Sequence, residues 1–120
     1  MWLGLASINL ALAVLLGAFG AHGLRSFADA QQLEWWHTAT QYFFYHALGQ
    51  VAMGILVKAI PYMKVKLPFC LFQFGIVVFC GSLYLLALGM PGWLGVITPV
   101  GGVAMAMGWL ALARVGFKQY

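Results

Sequence analysis

The sequence predicts an all-α integral membrane protein: a four-helix bundle with a short interfacial amphipathic helix between its first and second spans. Three observations carry this. Of the 120 residues, 64% are hydrophobic and only 7% are charged, against about a quarter charged in a typical soluble domain. The mean hydropathy is +0.95. The apolar residues fall into four runs, and four spans of roughly 20 residues with short loops fill residues 1–120 as one domain.

The first span is expected over residues 2–24. Ala13, Gly17 and Ala21 recur at i, i+4 and i+8, a small-residue face that lets another helix approach closely in lipid, and Gly20 and Gly23 widen it. Asn9 lies deeper and calls for a partner on a neighbouring helix. The run has no Lys or Arg before it and exceeds the apolar core of a signal peptide, so it reads as a retained span.

Residues 25–37 hold the chain's two acidic side chains, Asp29 and Glu34. Ser26 to Asp29 has the form of a capping box, and Phe27, Ala30, Leu33 and Trp36 recur at helical spacing. That pattern predicts the interfacial helix, with Trp35 and Trp36 as aromatic-belt anchors.

The second span is expected over 38–60. Thr38, Tyr42, Tyr45, His46, Gly49, Gln50 and Met53 fall in a sector of about 140° at 100° per residue. Unpaired polar groups are costly in hydrocarbon, so this stripe should face other helices and put the span at the bundle's centre.

Pro61 ends that span, and Pro68 opens the third, over 68–89, in the first turn where a missing N–H costs little. There Gln73, Cys80 and Tyr84 share one face, with Gly75 and Ser82 on the other, so Ser82 and Tyr84 should meet different neighbours. Met90-Pro-Gly is a turn. The fourth span, over 93–114, carries Thr98, Gly102, Met105 and Trp109 on one face, with Gly101 and Gly108 on a small-residue edge. Gly102 and Gly108 are its expected packing residues.

Charge orients the chain. Lys58, Lys64, Lys66, Arg114 and Lys118 lie at the end shared by both termini, while Arg25 alone lies at the other. The positive-inside rule then places both termini in the cytoplasm of a bacterial inner membrane.

The same distribution argues against nucleic acid, because the cations stand singly at the ends of apolar runs rather than in a solvated basic face. There is no CxxC, HExxH, phosphate loop or nucleophile elbow, so the sequence predicts no enzyme and no cofactor. His22, Asp29, Glu34 and His37 match no standard metal-ligand spacing. A haem held by His22 and His46 would span roughly 9 Å of height at 1.5 Å per residue. Cys70 and Cys80 are about 15 Å apart along one helix, too far for a mutual disulfide.

What remains is a polar set in the outer half. His22 and Arg25 close the first span, Tyr42 and His46 occupy the second, and Thr98 opens the fourth. Lipid offers these groups no partners, so they are expected to converge, with Arg25 reaching over the top. Two functions fit: an accessory or assembly subunit of a larger membrane complex or homo-oligomer, or a transporter-like protein that binds a small molecule, ion or quinone at this cluster.

Four blocks carry a resemblance: Gly17-Ala-Phe-Gly-Ala-His-Gly-Leu24, Thr38-Ala-Thr-Gln-Tyr-Phe-Phe-Tyr-His-Ala-Leu48, Gly81-Ser-Leu-Tyr84, and Ile97-Thr-Pro-Val-Gly-Gly102 with Gly108-Trp109. In kind and order they resemble the YgdD/YwdK-type small inner-membrane proteins. The resemblance implies a four-span membrane protein with no established enzymatic activity, so it transfers no catalytic residue. Cys80 replaces an expected small hydroxyl residue, and Gly23 an expected Ala.

Overall fold

The computed structural model describes residues 1–119. Among the described residues there are four long helices and no strand. The helices are α1 (Trp2–Ala21), α2 (Ala30–Ala59), α3 (Lys66–Ala87) and α4 (Leu94–Gln119). A single 3-10 turn, Leu24–Ser26, links α1 to α2. The protein is thus an all-α membrane bundle, in which α1, α3 and α4 are each long and apolar enough to cross a bilayer.

Helices consecutive in the chain pack side by side. One end of the bundle gathers the N-terminus, the loop after α2 and the last turns of α4. There Trp2 meets Phe69 edge-on, with ring centroids 4.6 Å apart, and Trp2, Leu112 and Val115 surround Met53, Val65 and Phe72. At the opposite end Leu24, Trp36 and Ala87 form a small buried cluster.

The separate interfacial helix does not exist; residues 30–37 are the first two turns of α2. The Asp29 carboxylate accepts the Gln32 backbone N–H at 2.8 Å, and the Gln32 side-chain oxygen accepts the Asp29 N–H at 2.9 Å. This capping box starts the helix at Ala30, and no Gly or Pro follows until Gly49 to interrupt it. Ser26 plays no part in the box; its hydroxyl donates to the Gly23 carbonyl at 2.8 Å. Thirty residues make a helix about 45 Å long, longer than the roughly 30 Å hydrocarbon core of a bilayer. Trp36 is no belt anchor either. It is buried, and its indole N–H donates to the Leu16 carbonyl at 2.7 Å.

The α1–α2 seam uses Ala6, Asn9 and Ala13, all buried, then Gly17 and Gly20. A Cβ at Gly17 would make ordinary contact with Thr40, at 3.4 Å, whereas one at Gly20 would collide with the Trp36 indole. Ala21 is exposed. A strict i+4 repeat rotates off the contact face after Gly17, and the alternating 3–4 spacing through Gly20 stays on it. At the other end of the seam, Gly54 lies against the α1 backbone, its absent Cβ only 3.0 Å from the Leu3 N and Cα.

Between Ile76 and Cys80 α3 widens into a π-turn. Beside it Gly101 of α4 meets the Phe79 backbone with no room for a Cβ. Gly108 receives the Phe72 ring, and Gly102 makes only ordinary contact with Phe79. The tightest α3–α4 approach is therefore at Gly101, one residue before the position the sequence favours.

Candidate functional site

The outer-half set does not come together as expected. His22 ends α1 and is exposed, as are Arg25 and Tyr42, while Thr98 is half-buried. Thr98 and Ser82 share a hydroxyl–hydroxyl bond of 2.5 Å between α4 and α3. Tyr84 reaches the other way, to Thr40 of α2 at 2.9 Å. Ser82 and Tyr84 do contact different neighbours, as their faces predict.

Of the five, only His46 is buried. Its Nε2 accepts the Trp109 indole N–H at 3.0 Å. An indole can only donate, so Nε2 carries no proton and the ring is the neutral Nδ1–H form. That Nδ1–H donates to the Tyr42 backbone carbonyl at 2.7 Å. Phe72 packs edge-on against the imidazole, with centroids 4.9 Å apart. Both ring nitrogens are engaged within the protein, which leaves no lone pair on His46 for iron or another metal. His22 and His46 make no axial pair, because His22 sits outside the bundle. Among the described residues no three His, Cys, Asp or Glu side chains assemble into a metal site.

The principal polar centre lies one turn further along α2. Asn9, Gln50 and Gln73 come from three different helices and form a closed amide triad. The Asn9 Nδ2 donates to Gln50 Oε1 at 2.6 Å and to Gln73 Oε1 at 2.7 Å. Gln50 Nε2 donates to the same Gln73 oxygen at 3.1 Å. Asn9 and Gln50 are both buried. The sequence signals Asn9 as a residue that needs a partner and puts Gln50 in the polar stripe. It places Gln73 on a face with Cys80 and Tyr84, so the grouping was not assembled. Amides neither ionise nor attack at physiological pH; the triad ties α1, α2 and α3 together in a medium that offers them no water.

Openings lie at both ends of the bundle. At the outer end a cavity of about 240 Å³ is bounded by Gly17, Gly20, Arg25, Trp36, His37 and Thr40. At the terminal end a larger one, of about 490 Å³, runs between α3 and α4 below Lys64 and Arg114.

No solved structure matches the chain. Residues 16–102 match the family described as "Protein of unknown function (DUF423)". The chain is 46% identical to the UPF0382 membrane protein SSP2132 of Staphylococcus saprophyticus, over 95% of this chain and 94% of that one. It is 43% identical to the UPF0382 membrane protein YwdK of Bacillus subtilis, over 95% and 94%. A UPF0382 membrane protein of Haemophilus influenzae is 35% identical over 98% and 94%. Matches of this length and identity, with the four-helix membrane architecture and the resemblance of its blocks to YwdK, show that the chain belongs to the DUF423 family of membrane proteins of unknown function.

Proposed function

We propose that this protein is a non-enzymatic accessory subunit that packs along α2 against a helix of a larger membrane complex. The observation that supports this is the free face of α2. Gln41, Tyr42 and Tyr45 are exposed there, within the stretch that crosses the bilayer in this reading. Alone among the four long helices, α2 lacks a segment apolar enough to stand as a span. Elsewhere the bundle spends its interior polar side chains on one another, in the amide triad, the His46–Trp109 pair and the Thr40–Tyr84 pair. Hydrocarbon offers no hydrogen bonds to an exposed amide or phenol, and a neighbouring helix with polar side chains does.

The test is a photo-crosslinking amino acid at position 45, activated in native membranes. The expected product is a stoichiometric adduct with a larger membrane protein. Adducts with lipid only would sink the proposal, and an adduct with a second copy would replace it by a homo-oligomer. In this reading the cation-rich end is cytoplasmic. Single cysteines at Lys64 and Asp29, in a background lacking Cys70 and Cys80, should label only from inside and only from outside, respectively.

The outer cavity favours a second reading, in which Arg25 and His37 hold a small anionic molecule beside Trp36. Mass spectrometry of the gently solubilised protein, with Arg25→Gln as comparison, tests it. A bound small molecule lost in the variant would support this reading over the first.

A further inference from the structure

The opening between α3 and α4 brings together cations that lie far apart in sequence. Lys64 stands in the loop before α3 and Arg114 near the end of α4, and both border the cavity of about 490 Å³. Below them the walls are hydrocarbon, with Leu71 on α3 and Met107 and Leu110 on α4. A second cavity, of about 440 Å³, shares Lys64 and Leu67 with the first and adds Lys66 and Cys70. Three cations thus sit above two contiguous apolar clefts.

No carboxylate side chain neutralises them. The chain has only two, Asp29 and Glu34, and both lie at the far end of the 30-residue α2. α3 also begins at this rim, with Val65 as its cap and no side chain bonded to its first amides. A free aqueous anion would find charge here but no use for the clefts, and a neutral lipid would fill the clefts but leave the cations unpaired. Basic pockets between membrane helices suit anionic headgroups.

We propose that this rim binds an anionic diacyl phospholipid. Its phosphate lies between Lys64 and Arg114. One acyl chain runs down the cleft past Leu71 and Leu110, and the other passes Leu67 and Cys70.

The full chain, reconstituted in nanodiscs and examined by native mass spectrometry, provides the test. Retention of phosphatidylglycerol is compared with that of phosphatidylcholine for wild type, Lys64→Gln/Arg114→Gln and Lys58→Gln/Lys118→Gln. Each cation near the headgroup contributes about fivefold, so the first variant should hold phosphatidylglycerol about thirtyfold more weakly. The second variant loses the same charge from residues that border neither cleft and should bind as wild type does. Unchanged melting in phosphatidylcholine nanodiscs shows that the variants are folded. Three results would each overturn the proposal: equal retention of the two lipids by wild type, equal weakening in both variants, or displacement of phosphatidylglycerol by millimolar inorganic phosphate.

Discussion

At the scale of single residues, His46 shows how a membrane-embedded imidazole can be fully used without chemistry. Its two nitrogens hold the Tyr42 carbonyl and the Trp109 indole, so removing either partner of the second bond strands the other. His46→Leu should lower stability by about 0.6–2 kcal/mol, the range for a hydrogen bond between membrane helices, while the protein still folds. Trp109→Phe should cost a similar amount. The double variant should cost less than the sum, because residues that share one bond are coupled; strict additivity in detergent melting curves would show that the pair is not formed. Gln50→Leu should be more damaging than either, since Gln50 bonds to both Asn9 and Gln73.

These sites also mark where sequence reading stopped. The residue types were legible: Asn9 needs a partner, and Gln50 and His46 lie in the polar stripe. Who meets whom was not, because counting along a helix yields depth, while contact depends also on rotation and neighbour. His22 and His46 were grouped by leaflet, yet α1 ends at Ala21 and leaves His22 outside.

At the scale of elements, hydropathy and periodicity foretold four helices and, within two residues, where three of them start, because burial in lipid demands long apolar runs. The exception was α2. Two readings competed for residues 30–37, an amphipathic surface helix or the start of the next span, and hydrophobic spacing fits both. The cap decides, since Asp29 and Gln32 start a helix that nothing interrupts.

The glycines yield sharper predictions than the small-residue pattern did. Gly20→Ala should displace the Trp36 indole and cost about 1–3 kcal/mol through overpacking, whereas Gly17→Ala should be nearly neutral. Gly54→Ala should be destabilising by a similar 1–3 kcal/mol, roughly, because its Cβ would press on backbone that cannot yield. Gly4→Ala, with open space around it, should be neutral or gain up to about 1 kcal/mol of helix propensity. Thermal melting of the four variants in one detergent separates these cases, and equal effects at Gly17 and Gly20 would contradict the seam described for α1 and α2.

At the scale of the whole molecule, charge and polarity divide the bundle lengthwise. The capped start of α2 carries both carboxylates, the terminal end carries five of the six Lys and Arg residues, and the amide triad and His46 occupy the interior between them. The π-turn in α3 joins these regions in a specific way. An α-helix advances about 100° per residue, and a π-turn accommodates one residue more than the α-helical pattern would hold. The two halves of α3 are therefore out of phase: Gln73, before the turn, joins the triad, while Ser82 and Tyr84, after it, are set to reach Thr98 and Thr40. Deleting one residue within the turn, such as Val78, would remove the extra residue and leave a plain α-helix in which Ser82 and Tyr84 keep their direction relative to Gln73, so both hydroxyl pairs should survive. The same deletion in α4, which has no such turn, would rotate everything after it by about 100°. The chain thus has a position where it can be shortened by one residue without resetting the phase of half a helix.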